Sequence, residues 1–309
     1  LNKLYATEWT GHQRLIIQTL TYFEYFSHPL SILEIAKICG VRPDVAELEM
    51  EPLLKEGWCF KSGSYYGTNH NIKTWVALRA EKELLAVKYF SKLKFYSRII
   101  ASFPFVKAVA VSGSLSKGVM TNDGDIDYFI ITSAGRLWMC RTLLVLFKKT
   151  VLFNSKKYFC VNYFVDENNL EIRDKNIFTA TEMRFLIPVY SQNKMISDFS
   201  KANNWVKDYY PTFPDWNTNN FKPYASGLKR ILEKILNMRF LNKVEYGLHY
   251  STQKLWRKKF KSFKEEKLEL TMRSTIGVSK HHPSDFQTKV LNSYEKAITK
   301  INHSVPQEI

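Results

Sequence analysis

The part of this chain that most restricts its fold lies between residues 106 and 132. Residues 107–112 form a β-branched, apolar run that reads as a strand. It passes directly into Gly113-Ser114-Leu-Ser-Lys117-Gly118, a turn entering a short helix that reaches Met120. Gly124-Asp125-Ile126-Asp127 then opens a second strand, residues 126–132. A helix over 135–150 follows, with Leu137, Leu143, Leu144 and Phe147 apolar, and then a third strand over 158–165. After the turn at Glu167-Asn168-Asn169, residues 170–173 are expected to pair back. Strand, turn and helix alternating in this way predict an α+β fold around a small mixed sheet.

Asp125 and Asp127 stand two apart at the start of a strand. Period-two alternation puts both side chains on one face. Carboxylates that close repel unless a cation sits between them. The apolar run 128–131 would bury the rest of the strand and hold the pair still. Oxygen ligands alone suit Mg²⁺, or Mn²⁺, which takes its remaining ligands from water and substrate phosphates. Gly113 lets the backbone turn sharply and come close to a ligand. The helix start behind it, the Ser114 hydroxyl and the Lys117 ammonium offer donors to a phosphate.

Together these residues resemble the DNA polymerase β-like nucleotidyltransferase superfamily. The Gly113-Ser114-Leu-Ser-Lys117-Gly118 run is similar to that family's phosphate-binding turn, and Asp125-x-Asp127 to its metal-binding pair. The likeness covers roughly residues 105–174, and the chain also resembles bacterial nucleotidyltransferase-domain proteins. It implies Mg²⁺-dependent transfer of a nucleoside monophosphate from an NTP to an acceptor hydroxyl. Gly113, Ser114 and Lys117 would hold the triphosphate, and Asp125 and Asp127 the metals. The family commonly carries a third carboxylate in the middle of the next core strand. Here that place falls on Asn162, a neutral ligand and a poor base, with Asp166 and Glu171 as substitutes under a different register. The departure leaves room for a second reading, a nucleotide-binding module with little or no turnover.

The flanks divide the chain at 1–72, 73–178 and 179–309. In the first, a helix containing Leu15, Ile16, Leu20 and Phe23 precedes a Ser31-capped helix over 32–39 that stops at Gly40. Pro43 opens another helix, and two β-like runs surround Ser62-Gly63. This order resembles a winged helix and raises a third reading, a nucleic-acid-binding regulator. Its second helix, with Asp44, Glu47, Glu49, Glu51 and Glu56, is too acidic to approach phosphates and is expected to make structural or protein contacts instead. Residues 73–103 read as a long amphipathic helix ended by Pro104, leading into the core. Residues 179–309 read as mostly helical, with helices over 224–260 and 283–301, and this region resembles the helical domain that such enzymes close over the nucleotide.

Lys280, or His281 or His282 beside it, is a candidate for substrate phosphate. A metal site from the adjacent histidines is less expected, because neighbouring side chains rarely converge on one ion. Trp205, Tyr209, Tyr210, Phe213, Trp216 and Phe221 can stack on a base or, more ordinarily, pack a linker.

The chain has 309 residues and a formal net charge of +16. The excess is regional, strongest over 222–267 and also over 73–98, and favours an acidic partner such as nucleic acid, NTP or anionic membrane, the plainer reading being solubility. No apolar run is long enough to span a bilayer, and residues 1–13 contain no signal-like core. Cys39, Cys59, Cys140 and Cys160 are isolated, which argues against a disulfide framework or a Cys-type zinc site and for a reducing cytoplasm. The acceptor (small molecule, RNA or protein) is open.

Overall fold

The computed structural model describes residues 9–216, 227–238 and 241–304. The fold is mixed α/β, built on a mixed six-stranded sheet. It begins with α1 (Gly11–Glu24), β1 (Leu30–Ser31), α2 (Ile32–Cys39), α3 (Pro43–Lys55), β2 (Phe60–Ser62) and β3 (Tyr65–Gly67). The three short strands form their own antiparallel sheet in the order β1-β3-β2. Local chemistry sets these boundaries. Ser31 and Glu34 make a reciprocal capping box on α2, and Gly40 ends it with a left-handed φ of 70°. Pro43 occupies the first turn of α3.

The long helix α4 (Ile72–Ser102) leads into β4 (Val106–Ser112), the single turn α5 (Gly113–Ser116), β5 (Asp127–Thr132), α6 (Leu137–Thr150) and β6 (Cys160–Asp166). Then follow α7 (Ile177–Arg184), β7 (Ile187–Ser191), α8 (Met195–Ala202), α9 (Gly227–Leu236), α10 (Asn242–Lys259) and α11 (Glu265–Thr271). The chain closes through β8 (Ser274–Thr275), β9 (Val278–Lys280) and α12 (Phe286–Ser304).

Strands order as β7-β4-β5-β6-β9-β8. β4 and β5 are antiparallel, and β5 and β6 are parallel with α6 as crossover. Ala108, Ala110, Phe129, Ile131 and Val165 face one core, shared with α1–α3, α7, α8 and α12. Val109, Val111, Tyr128, Ile130 and Phe164 face the other, shared with α4, α6 and Trp256 of α10. Each fully buried large apolar side chain contributes about 1.5–3 kcal/mol, so alternating faces lock the register of β4 and β5. Buried charges fasten the helices. Glu245 accepts from the Trp138 and Met139 N–H groups at 2.6 and 2.9 Å, capping α6 from α10. Lys229 donates to the Ala101 and Val106 carbonyls at 2.9 and 2.7 Å, closing the end of α4.

Several expectations are corrected. The region from 179 on, read as helical, supplies β7, β8 and β9 to the sheet. These strands are two to five residues long, and β7 carries Pro188, tolerated on an edge. Residues 170–173 form no strand; β6 pairs with β9 instead, and the Ile172 N–H donates to the Asn203 side chain at 2.8 Å. The stretch read as one helix over 224–260 is divided into α9 and α10. The last helix starts at Phe286, not Pro283, because Asp285 has a positive φ of 52°.

Candidate functional site

β4 and β5 end side by side, with Ser112 opposite Asp127. The chain leaves β4 through Gly113, whose φ of 68° is left-handed. A Cβ there would stand 2.6 Å from Asp127 Oδ2, so only glycine lets the turn and the carboxylate share this space. Ile126 is fully buried between the two aspartates, and its N–H and C=O bond Lys157 O at 3.0 Å and Cys160 N at 3.1 Å. Asp125 and Asp127 are thereby held at the mouth of the sheet, with one ligand atom from each of Asp125, Asp127 and Cys160 lying within 4.8 Å of the others.

Asn162 meets this group. Its Nδ2 donates to Asp127 Oδ1 at 2.8 Å. Burial, then the charge of Asp125, push the Asp127 carboxyl up to about 7, while bonds from Cys160 and Asn162 pull it down. Burial and the two carboxylates push the Cys160 thiol far up, so it serves as a donor rather than as a thiolate ligand. The pair is a crowded anionic site that a hard divalent cation would relieve through oxygen ligands, and the residues present fit Mg²⁺ or Mn²⁺.

The turn already holds an anion, supplied by the protein. Glu182 of α7 accepts from the Gly113 N–H at 3.2 Å through Oε2 and from Lys117 Nζ at 2.8 Å through Oε1. Lys117 also donates to Gly113 O at 3.1 Å. Ser114 is exposed on the rim. The helix expected behind the turn is four residues long, too short to bring a helix dipole to bear, so anion recognition falls on the Gly113 N–H and Lys117.

Other expected site residues lie elsewhere. Lys280 is buried with its Nζ on Asp174 at 2.8 Å and Gln287 at 3.0 Å, which places it in a structural network rather than with the Gly113–Asp127 group. Asp166 is at the opposite end of β6, beside Thr132, where it accepts from Gly135, Asn168 and Asn169. Glu171 is exposed and pairs with Lys175. His281 and His282 diverge, one ring 5.0 Å from Trp256 and the other 6.0 Å from Tyr163. Trp205, Tyr209, Tyr210, Phe213 and Trp216 pack into the core around α1–α3; Phe221 lies outside the described residues.

Two members of the site escaped the sequence reading. Cys160 stands two residues before Asn162, and strand alternation was a signal for it. Glu182 sits in an ordinary helical stretch, and only the tertiary fold brings it to the turn. Comparison with protein-family models, with curated proteins and with solved structures finds no match for this chain.

Proposed function

We propose that this chain is a divalent-metal-dependent nucleotidyltransferase that moves a nucleoside monophosphate from an NTP to an acceptor hydroxyl. One observation carries the reading: a paired-aspartate site and an anion-holding turn adjoin so closely that a Cβ on Gly113 would stand 2.6 Å from Asp127 Oδ2. Asp125 and Asp127 would hold Mg²⁺ or Mn²⁺. When bound, such ions neutralise phosphate charge and clamp the oxygens of an in-line displacement. The Gly113 N–H and Lys117 would bind the triphosphate, in the place now taken by Glu182, with the Ser114 hydroxyl adding a donor at the rim. Asn162 holds the Asp127 carboxylate in orientation but cannot remove the acceptor's proton near neutrality.

Asn162 also favours a second reading, a nucleotide-binding module without turnover, since it stands where a carboxylate base would be useful. The N-terminal segment supports a winged-helix-like reading in its element order. Its helix α3 exposes Asp44, Glu47 and Glu51, and its core is continuous with α7 and α8, so protein contact suits it better than DNA reading.

The test is Mg²⁺-dependent NTP binding, with label transfer from each α-labelled NTP to candidate acceptors. Wild type should bind, and a folded Asp125→Asn/Asp127→Asn variant should lose at least tenfold in affinity. Label on an acceptor supports the enzyme; binding without transfer supports the module. Equal Mg²⁺-dependent affinity in both proteins would refute both.

A further inference from the structure

The sheet mouth that carries Asp127 has a second charged neighbourhood, beside Cys160 and Asn162. From Tyr128 to Val165 the chain contains no acidic residue, while Arg136, Arg141, Lys148, Lys149, Lys156 and Lys157 fall within it. From Tyr246 to Lys264 there is again no acid, against Lys254, Arg257, Lys258, Lys259, Lys261 and Lys264. These stretches are separate in sequence, but α6 and α10 pack together in the fold. Arg141 marks the junction. Its guanidinium lies over Trp138 at 5.6 Å and over Trp256 of α10 at 4.9 Å. Among the described residues no carboxylate pairs with Arg141, Lys148, Lys156 or Lys259, whereas Arg257 pairs with Glu265. The His281 ring lies 5.0 Å from Trp256 and 6.2 Å from Phe260, over which Lys259 Nζ stands at 5.4 Å; burial first, and then the charges of Arg141, Lys259, Lys156 and Lys148, push its imidazole down to about 4. Its backbone N–H donates to Asn162 O at 2.9 Å, which ties this neighbourhood to the carboxylate site.

Unpaired cations gathered at one place repel each other and destabilise the free protein unless an anion arrives. Here Arg141 and Lys259 lie over aromatic faces, and the group lacks the acids that would make it an ordinary solvated surface. We propose that Lys148, Lys156 and Lys259, arranged around the packed guanidinium of Arg141, form a phosphate-binding track that holds a nucleic-acid strand beside the Asp125–Asp127 site. That the strand is the acceptor rests on the proposed transferase reading; that it binds does not. The track extends over the ends of two helices and the loop before β6, more than a single triphosphate needs. Nor does it suit insertion into a lipid surface, because its central rings, Trp138 and Trp256, are 0% and 8% exposed and already packed.

The test is fluorescence anisotropy of a labelled single-stranded oligouridylate with the full chain, across a salt series. Lys148→Gln/Lys156→Gln/Lys259→Gln removes three cations of the track and leaves Trp138, Arg141 and Trp256 in place. It should weaken RNA binding at least tenfold and flatten the log–log salt slope by about 2, as expected for three lost phosphate contacts on a single strand. Arg141→Met, which keeps a side chain between the two tryptophans, should weaken it as well. MgATP binding should stay within twofold in the triple variant. Asp125→Asn/Asp127→Asn should show the converse, RNA binding kept and MgATP binding lost. Absence of RNA binding by wild type would overturn the proposal, as would unchanged affinity and slope in the triple variant. So would loss of MgATP with RNA retained in the triple variant, since the track would then serve the triphosphate. If wild type binds RNA but not MgATP, the track stands and the transferase reading falls.

Discussion

Lys117 Nζ lies 2.8 Å from Glu182 Oε1, and the second oxygen of that carboxylate takes the Gly113 N–H at 3.2 Å. Both donors assigned to an incoming phosphate are therefore engaged by an internal anion. A charge-assisted hydrogen bond contributes about 1.5–3 kcal/mol, so under the proposed function a nucleotide would have to displace a competitor of real strength. Glu182→Gln keeps the shape and removes the charge. It should tighten MgNTP binding by about tenfold, equal to about 1.4 kcal/mol, read by titration calorimetry. Unchanged or weaker binding in the folded variant would mean that Glu182 supports the turn and does not compete for it.

Gly113→Ala tests the shared space. The added methyl meets Asp127 Oδ2 at 2.6 Å, and the left-handed φ of 68° costs an alanine about 1–2 kcal/mol more. The expected result is a fall in Tm of several degrees, with metal-dependent nucleotide binding lost by more than tenfold. Gly118→Ala is the control. It bears a similar φ of 76° but has nothing within 4 Å of its Cβ, so it should share the stability loss and keep most of the binding. Equal binding losses in the two variants would show that backbone strain alone, and not crowding of Asp127, controls the site.

What could be read beforehand follows from where the information resides. β4, β5 and α4 emerged within a residue or two of their bounds, because unbroken apolar runs and helical spacing are local signals. The carboxylate pair was visible because its members stand two apart where β5 begins, although only Asp127 lies on that strand and Asp125 precedes it. β7, β8 and β9 were not, since two to five residues carry too little periodicity and acquire strand form only by pairing with β4 and β6. Lys280 looked like a free cation until Asp174 and Gln287, distant in sequence, enclosed it. Glu182 reaches Lys117 across 65 residues, a distance no local pattern bridges.

Stability should fall on mild acidification. Burial holds His28 and His282 down to about 3 and His281 to about 4, with the charge of Arg79 adding to the effect at His28. In the unfolded chain each returns to about 6.5. Between those values the unfolded chain binds more protons at these three sites, so their contribution is complete above about pH 6.5 and is lost as pH falls toward 4; the Asp127 carboxyl, raised to about 7, works in the opposite sense and offsets only one of the three. For His28, 6% exposed, the loss is up to about 1.4 kcal/mol per pH unit in that window. Thermal unfolding at pH 7.5, 6 and 5 should show Tm descending above the carboxylate range. A His28→Leu variant should show a shallower descent; a flat wild-type profile from 7.5 to 5 would refute the assignment.

Asn162→Asp examines the edge of the proposed metal site from the side of β6. In the native protein the Asn162 amide donates to Asp127 Oδ1 at 2.8 Å, a bond that an ionised aspartate cannot make. The substitution removes that donor and adds a negative charge to a group where Asp125 already raises the Asp127 carboxyl. Without a divalent ion the variant should be less stable by about 1–3 kcal/mol, the cost of a lost part-buried bond with like-charge repulsion added to it. With Mn²⁺ or Mg²⁺ a third carboxylate becomes a ligand and the repulsion is relieved. The rise in Tm on adding metal should therefore be larger in the variant than in wild type, through tighter binding to the native state alone. A better-placed base should also raise label transfer, in proportion to how far proton removal limits the native protein. Calorimetric scans of both proteins with and without Mn²⁺ separate these effects without relying on turnover. If the metal-induced shift in Asn162→Asp is no greater than in wild type, the Asn162 side chain does not border the cation, and the third-carboxylate position must be sought on another element.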